Sequence, residues 1–242
     1  MSQQLTQDQL IILRKFPINE SDMLIVAFGK KLGKILIKAK GEKKIKSQFK
    51  GKINVFNLLK TTIYDSGRSF TLTEANLIHP GPDGSNLESF QISQQISKIL
   101  NQILPDQHPN NQLFQLITNI IQTQQSQINQ SNLFEIFILK LLFIEGYITP
   151  VIPPEKIPEG KELYFYIDTN GSINSTLDPK VDSPNLIHPK LVKAINFFIK
   201  NPLSTCCKLK LNQEEKEALQ LATKHLFQNN FQTELRIATQ II

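Results

Sequence analysis

The chain has 242 residues, 40% hydrophobic and 20% charged, with 27 Lys+Arg against 21 Asp+Glu for a net charge of +6. That apolar fraction supports a buried core and excludes wholesale disorder, and the length fits one or two domains. Two adjacent cysteines, Cys206 and Cys207, cannot staple a secreted fold. The start MSQQLTQDQL lacks the features of a secretion signal, and no stretch reaches the roughly 18 apolar residues of a membrane helix, so a cytoplasmic protein is expected.

Residues 1–79 read as strands. Leu10–Phe16, Met23–Gly29 and Lys34–Lys40 are short apolar or alternating runs. Ile53–Asp65 and Ser69–Asn76 follow, joined at Asp65-Ser66-Gly67-Arg68 as a hairpin turn. Five short strands in so little chain suit a small closed barrel, of which the OB-fold is the common example. The breaker-rich His79-Pro80-Gly81-Pro82-Asp83-Gly84 marks a boundary, giving an OB-fold domain over 1–79 and a helical domain over 80–242.

Beyond it the apolar period is helical. Leu87 to Ile103 forms one helix ending at Pro105, and a second carries Leu113, Phe114, Leu116, Ile117, Ile120 and Ile121 after Asn110-Asn111. The third, Leu133–Glu145, opens with Asn132 and Glu135 spaced as a capping box and stops at Gly146; apolar around nearly its whole circumference, it is expected to be a central buried helix. Residues 150–189 form a proline-rich inserted lobe, in which Leu163–Ile167 and Ile173–Leu177 flank Asn170-Gly171 as a hairpin. Helical pattern returns at Lys190–Lys200 and at Gln213–Gln228, the latter after a second capping-box spacing, Asn212 and Glu215; Thr233–Ile242 reads as one more short helix. Gln122–Gln127 is a polar helix end or loop. The fold class expected is therefore multidomain α+β.

The basic surplus is local. Residues 1–80 hold 14 Lys+Arg and 6 Asp+Glu, against 13 and 15 in the rest. The window from Lys30 to Lys52 carries Lys30, Lys31, Lys34, Lys38, Lys40, Lys43, Lys44, Lys46, Lys50 and Lys52 with the single carboxylate of Glu42. Such repulsion is relieved by a polyanion, and a phosphate backbone gains further free energy by releasing condensed counterions. These ten lysines and Arg68 are the candidate nucleic-acid contacts. The alternative is a solvated face in a lysine-biased composition of 24 Lys and 3 Arg. Phe49, Phe56, Tyr64 and Phe70 are candidate base-stacking platforms, Phe56 reading better as core.

Catalytic signatures are weak. His79, His108, His188 and His225 are scattered, and no phosphate loop, nucleophile elbow or metal-binding helix is present. Glu20 and Asp22 can balance neighbouring lysines. Cys206-Cys207 offers vicinal thiols, but Cys207, Leu209 and Leu211 alternate with Lys208 and Lys210, so at least one thiol reads as a small hydrophobe.

Taken in order, Glu20-Ser21-Asp22, Gly33-Lys34, Lys38-Ala39-Lys40-Gly41, Lys46-Ser47-Gln48-Phe49 and Leu72-Thr73-Glu74-Ala75 resemble the RecO family of bacterial recombination mediators. So do Leu104-Pro105-Asp106, Asn110–Phe114 and Phe134–Leu142 followed by Gly146-Tyr147 and Pro150. The resemblance implies an N-terminal OB-fold and a C-terminal helical domain. It further implies binding to single- and double-stranded DNA, annealing of complementary strands, and cooperation with RecR and single-stranded-DNA-binding protein when RecA is loaded, in a cytoplasmic, nucleoid-associated setting. The ten lysines and Arg68 are then candidate DNA contacts, and no catalytic residue, nucleotide cofactor or membrane belongs to that role. Many relatives carry a four-cysteine zinc site in the lobe. Here no Cys lies near Ile152–Glu155 or Asn174, so zinc is not expected, and prolines, the hairpin, Leu163 and Phe165 are expected to hold the lobe.

Two other readings stay open on physics alone: a protein-interaction adaptor working through its helical domain, and an OB-fold RNA-binding protein. A hydrolase or nuclease fits least.

Overall fold

The apolar runs between Gln4 and His79 form five strands in the computed structural model, which describes residues 4–125, 131–152, 154, 156–159, 162–177 and 186–231. They are β1 (Gln4–Pro17), β2 (Met23–Gly29), β3 (Gly33–Ala39), β4 (Leu58–Asp65) and β5 (Phe70–His79). The strands close into a barrel in the order β1-β2-β3-β5-β4, with β3 and β5 parallel and the other neighbours antiparallel. This is the OB-fold expected from the sequence.

Closure depends on β1, which serves two partners. Gln4–Ile11 pair with β4 and Leu10–Pro17 with β2, and a register shift between Ile12 and Arg14 bends the strand where it changes partner. Leu10 and Ile12 enter the barrel core beside Ile25, Ile37, Leu59 and Ile63. Ile11, on the opposite face, is also fully buried, and α1 (Leu87–Ile103) packs against β1. Apolar contact on both faces accounts for a continuous rather than alternating run.

The turn between β2 and β3 hangs on one buried carboxylate. Asp8 accepts from the backbone N–H groups of Gln9 (2.8 Å), Lys31 (3.0 Å) and Leu32 (3.0 Å), so charge-assisted hydrogen bonds replace its lost hydration. The fourth strand starts at Leu58 and not at Ile53 as the hydrophobic pattern suggests. Phe56 has φ 69 and its N–H donates to Ile12 O at 2.7 Å, while the Asn57 N–H turns back to Asn54 O at 3.1 Å. The buried Asn57 side chain then joins Lys52 O (2.7 Å) and the Gly81 N–H (2.7 Å).

By compactness the chain divides into Met1–Gln130 and Ser131–Ile242. The segment His79–Gly84 ends β5, and α1 and α2 (Asn111–Gln124) group with the barrel; Phe114 of α2 sits 6.0 Å from Phe28, centroid to centroid. Asn86 and Asn110 cap these helices through Ser89 N–H and Leu113 N–H, each at 3.0 Å. Of the glutamine-rich stretch, Gln122–Gln124 finish α2, and Ser126 and Gln127 lie outside the described residues.

The second unit contains α3 (Leu133–Ile144), the sheet β6 (Tyr164–Ile167), β7 (Ile173–Thr176) and β8 (Leu186–Ile187) in the order β7-β6-β8, then α4 (Pro189–Lys200), α5 (Leu203–Cys206) and α6 (Gln213–Phe231). α3 is buried along most of its length, as its all-round apolarity requires, and packs on α4 and α6. Its expected capping box does not form in full, since the Asn132 side chain makes no hydrogen bond to the helix. The helix ends in a Schellman arrangement, with Gly146 N–H to Phe143 O (3.1 Å) and Tyr147 N–H to Leu142 O (2.8 Å). At α6 the capping box is complete: Glu215 N–H donates to Asn212 Oδ1 (2.8 Å) and Asn212 N–H to Glu215 Oε2 (3.0 Å). The expected helix over Thr233–Ile242 lies outside the described residues.

The lobe forms its hairpin around Asn170-Gly171, joined by β8, which the sequence pattern does not reveal. Phe165, Ile167 and Ile187 are buried, whereas Leu163 is half-buried. Asp168 Oδ1 accepts from the Asn170 and Ser172 N–H groups at 2.9 Å each, and α6 clamps the turn from outside. Asn229 Nδ2 donates to Asp168 O (3.0 Å) and Asn230 Nδ2 to Gly171 O (3.1 Å). Gly171 has φ 74, and a Cβ there would clash with Asn230 Nδ2, so only glycine fits.

Replacing Asp8 with Ala leaves the Lys31 and Leu32 N–H groups without their acceptor. Urea unfolding is expected to show a loss of about 2–3 kcal/mol, the cost of buried unsatisfied donors. A change within experimental error would show that the turn does not depend on Asp8.

Candidate nucleic-acid interface

The lysine-rich window spans the β2–β3 turn, β3 and the segment leading to β4. That last segment is a chain of tight turns, closed by Lys44 N–H to Gly41 O (3.2 Å), Ser47 N–H to Lys44 O (3.0 Å), Lys50 N–H to Ser47 O (3.2 Å) and Lys52 N–H to Phe49 O (3.0 Å). Its apolar residues Phe49 and Ile53 are 2% and 1% exposed and belong to the barrel core. So many ammonium groups on one short segment repel one another, and these two buried side chains hold it in place.

Position divides the lysines into two groups. Lys34 Nζ contacts Asp106 Oδ1 at 3.1 Å and Asn101 O at 3.3 Å, with its side chain only 15% exposed. The loop after α1 lies over this end of β3: Gln107 N–H donates to Lys34 O, and a Cβ on Gly33 (φ 68) would strike the His108 backbone. Lys52 Nζ donates to Ala75 O (2.9 Å), Lys38 pairs with Asp22 (3.7 Å), Lys43 Nζ donates to Asn19 O (3.0 Å) and Lys31 Nζ to Gln7 O (3.0 Å). Lys30, Lys40, Lys44, Lys46 and Lys50 are exposed, and their ammonium groups have no partner among the described residues. Arg68 is exposed on the β4–β5 turn, whose Gly67 N–H is held by Asp65 Oδ1 at 2.7 Å.

The β1–β2 turn is stitched to the start of the lysine segment. Asp22 Oδ1 accepts from the Gly41 N–H (2.8 Å), and Lys43 N–H donates to Ser21 O (3.1 Å). The Gly41 N–H first and the Asn19 side chain next, with a lesser contribution from Lys38, hold the Asp22 carboxyl below its ordinary value against the opposing effect of burial. Asp22 thus has a local structural role, and Glu20 is exposed on the same turn.

Of the four aromatic candidates, Phe49 and Phe56 are core residues and cannot stack on a base. Phe70 is half-buried against the core and Tyr64 is half-buried. The described surface of this barrel therefore offers charge far more than aromatic faces. Pattern reading passed over Ile45, which is 87% exposed between Lys44 and Lys46. Its signal was an apolar residue outside any strand or helix period. The Lys34–Asp106 pair carried no signal, because the partners are distant in sequence.

Away from the barrel the two thiols are sequestered. Both cysteines are buried and free, and Cys206 Sγ donates to Phe198 O (3.5 Å) and Asn201 O (3.4 Å). Burial pushes both thiols up, partly offset by Lys140, whose own proton is held less tightly because it too is desolvated. Lys140 Nζ donates to Asn201 O at 2.6 Å, at the end of α4. Among the described residues no three His, Cys, Asp or Glu side chains gather as a metal site, and no helix is long and apolar enough to cross a membrane.

Residues 1–80 match the family described as Recombination protein O N terminal. Over 216 residues the chain is 23% identical to the DNA repair protein RecO of Thermoanaerobacter sp. (strain X514), covering 88% of this chain and 87% of that protein. It is 21% identical over 196 residues to the DNA repair protein RecO of Caldanaerobacter subterraneus subsp. tengcongensis, with 79% of each covered. A third relative, the DNA repair protein RecO of Thermodesulfovibrio yellowstonii, is 25% identical over 144 residues, 58% of this chain and 57% of that protein.

Two outcomes check this geometry. A carboxyl whose folded pKa is depressed stabilises above its unfolded value, here 3.8, and loses that contribution as pH falls through the folded one. The melting temperature of Asp22→Ala is therefore expected to lie below that of the parent at pH 6 and to approach it as pH falls progressively below 3.8; a gap independent of pH would refute the carboxylate's role. Alkylation of Cys206 and Cys207 at pH 8 is expected to be far slower in the folded chain than after denaturation. Equal rates would show that the thiols are accessible.

Proposed function

We propose that this chain, which belongs to the RecO family, acts in DNA repair and recombination by binding single- and double-stranded DNA through its barrel and annealing complementary strands. The observation that carries this reading is the set of unpartnered ammonium groups on Lys30, Lys40, Lys44, Lys46 and Lys50, displayed on an OB-fold by a segment pinned at Phe49 and Ile53. Lys43 and Arg68 are added to this set: both are exposed, and Lys43 can exchange its carbonyl partner for a phosphate. Lys34 and Lys52 are assigned to holding the barrel together, with Lys31 and Lys38 contributing long-range charge.

Annealing follows from neutralisation. Two phosphate backbones approach one another only when their charge is screened, and point charges on flexible stems do this without reading sequence. The role needs no group that is covalently changed, so we assign no catalytic residue and no cofactor. Family membership supports partners in the recombination machinery. Within the proposal these are RecR and single-stranded-DNA-binding protein, with RecA loaded as the result, in the cytoplasm at the nucleoid.

The test is a salt-titrated strand-annealing and binding assay on the full chain. With four or five phosphates neutralised, the slope of log affinity against log salt for single strands is expected near about −3. Changing Lys44, Lys46 and Lys50 to Glu should abolish annealing at moderate salt without lowering the melting temperature. Annealing that persists in this variant would place the interface elsewhere, and preference for RNA over DNA of equal length in competition would favour the RNA-binding reading.

A further inference from the structure

Ile45 has the greatest exposure of any large apolar side chain among the described residues, at 87%. It is the second residue of the turn Lys44–Ser47, and its neighbours Lys43, Lys44 and Lys46 are all exposed. Folding gives no reason for it. The anchoring of the segment falls to Phe49 and Ile53, and an isoleucine in water forgoes all the free energy its burial would release. Nor can it reach the core by a small adjustment, because the segment is tied on either side: Lys43 N–H to Ser21 O (3.1 Å) upstream and buried Phe49 downstream.

The surroundings select its partner. An apolar protein surface would have to strip water from three ammonium groups to reach Ile45, at a cost nothing repays. A nucleic acid presents phosphates and apolar base faces within a few ångströms of each other, which matches alternating lysine and isoleucine on one turn. Apolar wedges between base steps are a known means of contact.

We propose that Ile45 is a base contact: with Lys44 and Lys46 on the backbone, its side chain lies against, or enters between, the faces of unstacked bases. The inference rests on the DNA-binding reading and deepens it. It gives the interface a component that salt does not screen, and it favours strands whose bases are already unstacked, because opening a duplex step costs stacking. Single strands, and the open junction where two strands begin to pair, are thus the preferred substrates of this turn.

Charge and apolar contact separate cleanly in a salt titration, since neutralised phosphates set the slope and other contacts set the affinity extrapolated to about 1 M salt. The probe is an oligothymidylate carrying one 2-aminopurine, whose fluorescence reports unstacking, and the full chain is used throughout. Ile45→Ala is expected to keep the parent's slope and melting temperature, to lower the extrapolated affinity roughly tenfold, and to abolish the fluorescence change. Ile45→Phe should restore both readouts or exceed the parent. Lys44→Gln should do the converse of Ile45→Ala, making the slope shallower by about 0.7 while the fluorescence change survives. Parent-like intercept and fluorescence in Ile45→Ala would overturn the contact, as would loss of binding to anionic phospholipid vesicles with oligonucleotide binding intact, which would assign Ile45 to a membrane surface. Absence of any salt-dependent binding by the parent would instead overturn the DNA-binding reading itself.

Discussion

The barrel closes across a seam that its strands alone do not fill. β3 and β5 pair only at Ile37 with Phe70 and Lys38 with Thr71, leaving much of β5 without a strand neighbour on that side. The lysine-rich segment occupies this position. Phe49 and Ile53 complete the core, Gln48 Nε2 takes Thr73 O (2.9 Å) and Lys52 Nζ takes Ala75 O (2.9 Å), carbonyls of the uncovered part of β5. Burial of two apolar side chains and capture of two backbone acceptors outweigh the mutual repulsion of the lysines. The same residues that finish the fold fix where its charge is displayed.

This coupling sorts residues that composition treats alike. A lysine whose stem runs along the barrel meets a carbonyl or carboxylate and becomes structural, as Lys34 and Lys52 do. Lys30, Lys40, Lys44, Lys46 and Lys50 meet no partner among the described residues, and their ammonium groups remain able to bind an anion. The acidic residues are arranged to the same end: Asp8 holds the β2–β3 turn, Asp22 the junction with the β1–β2 turn, and Asp106 the covered end of β3. Each steadies backbone near the interface while leaving Lys40, Lys44, Lys46 and Lys50 unneutralised.

The second unit meets a different difficulty, that of fixing a small proline-rich lobe with little core of its own. The Asp168 turn is satisfied from within by Asn170 and Ser172 and from outside by Asn229 and Asn230, so amide donors on α6 fix the hairpin to the helix. Half-buried Lys140 and buried Cys206 both donate to the Asn201 carbonyl, closing the end of α4 and leaving the thiols enclosed.

The sequence by itself determined most of the strands and helices, though not β8 or the short α5, because hydrophobic period and capping residues act over a few positions. β2 was legible to the residue, and Asn110, Asn212 and Gly146 do at the helix ends what their chemistry dictates. It also located the basic window, since charge is visible in composition. It misplaced the start of β4, because the left-handed turn at Phe56 is held by Ile12, far off in the chain, and it read an Asn132 side-chain cap that does not form. Only the tertiary structure decided which lysines face solvent, that Phe49 is core, and that Ile45 stands exposed among them. Those outcomes depend on what distant segments place nearby: Asp106 over Lys34, Ala75 beneath Lys52, and, among the described residues, nothing over Ile45. Local patterns set which way a chain folds, but exposure is a property of the closed surface and exists only once the barrel is complete.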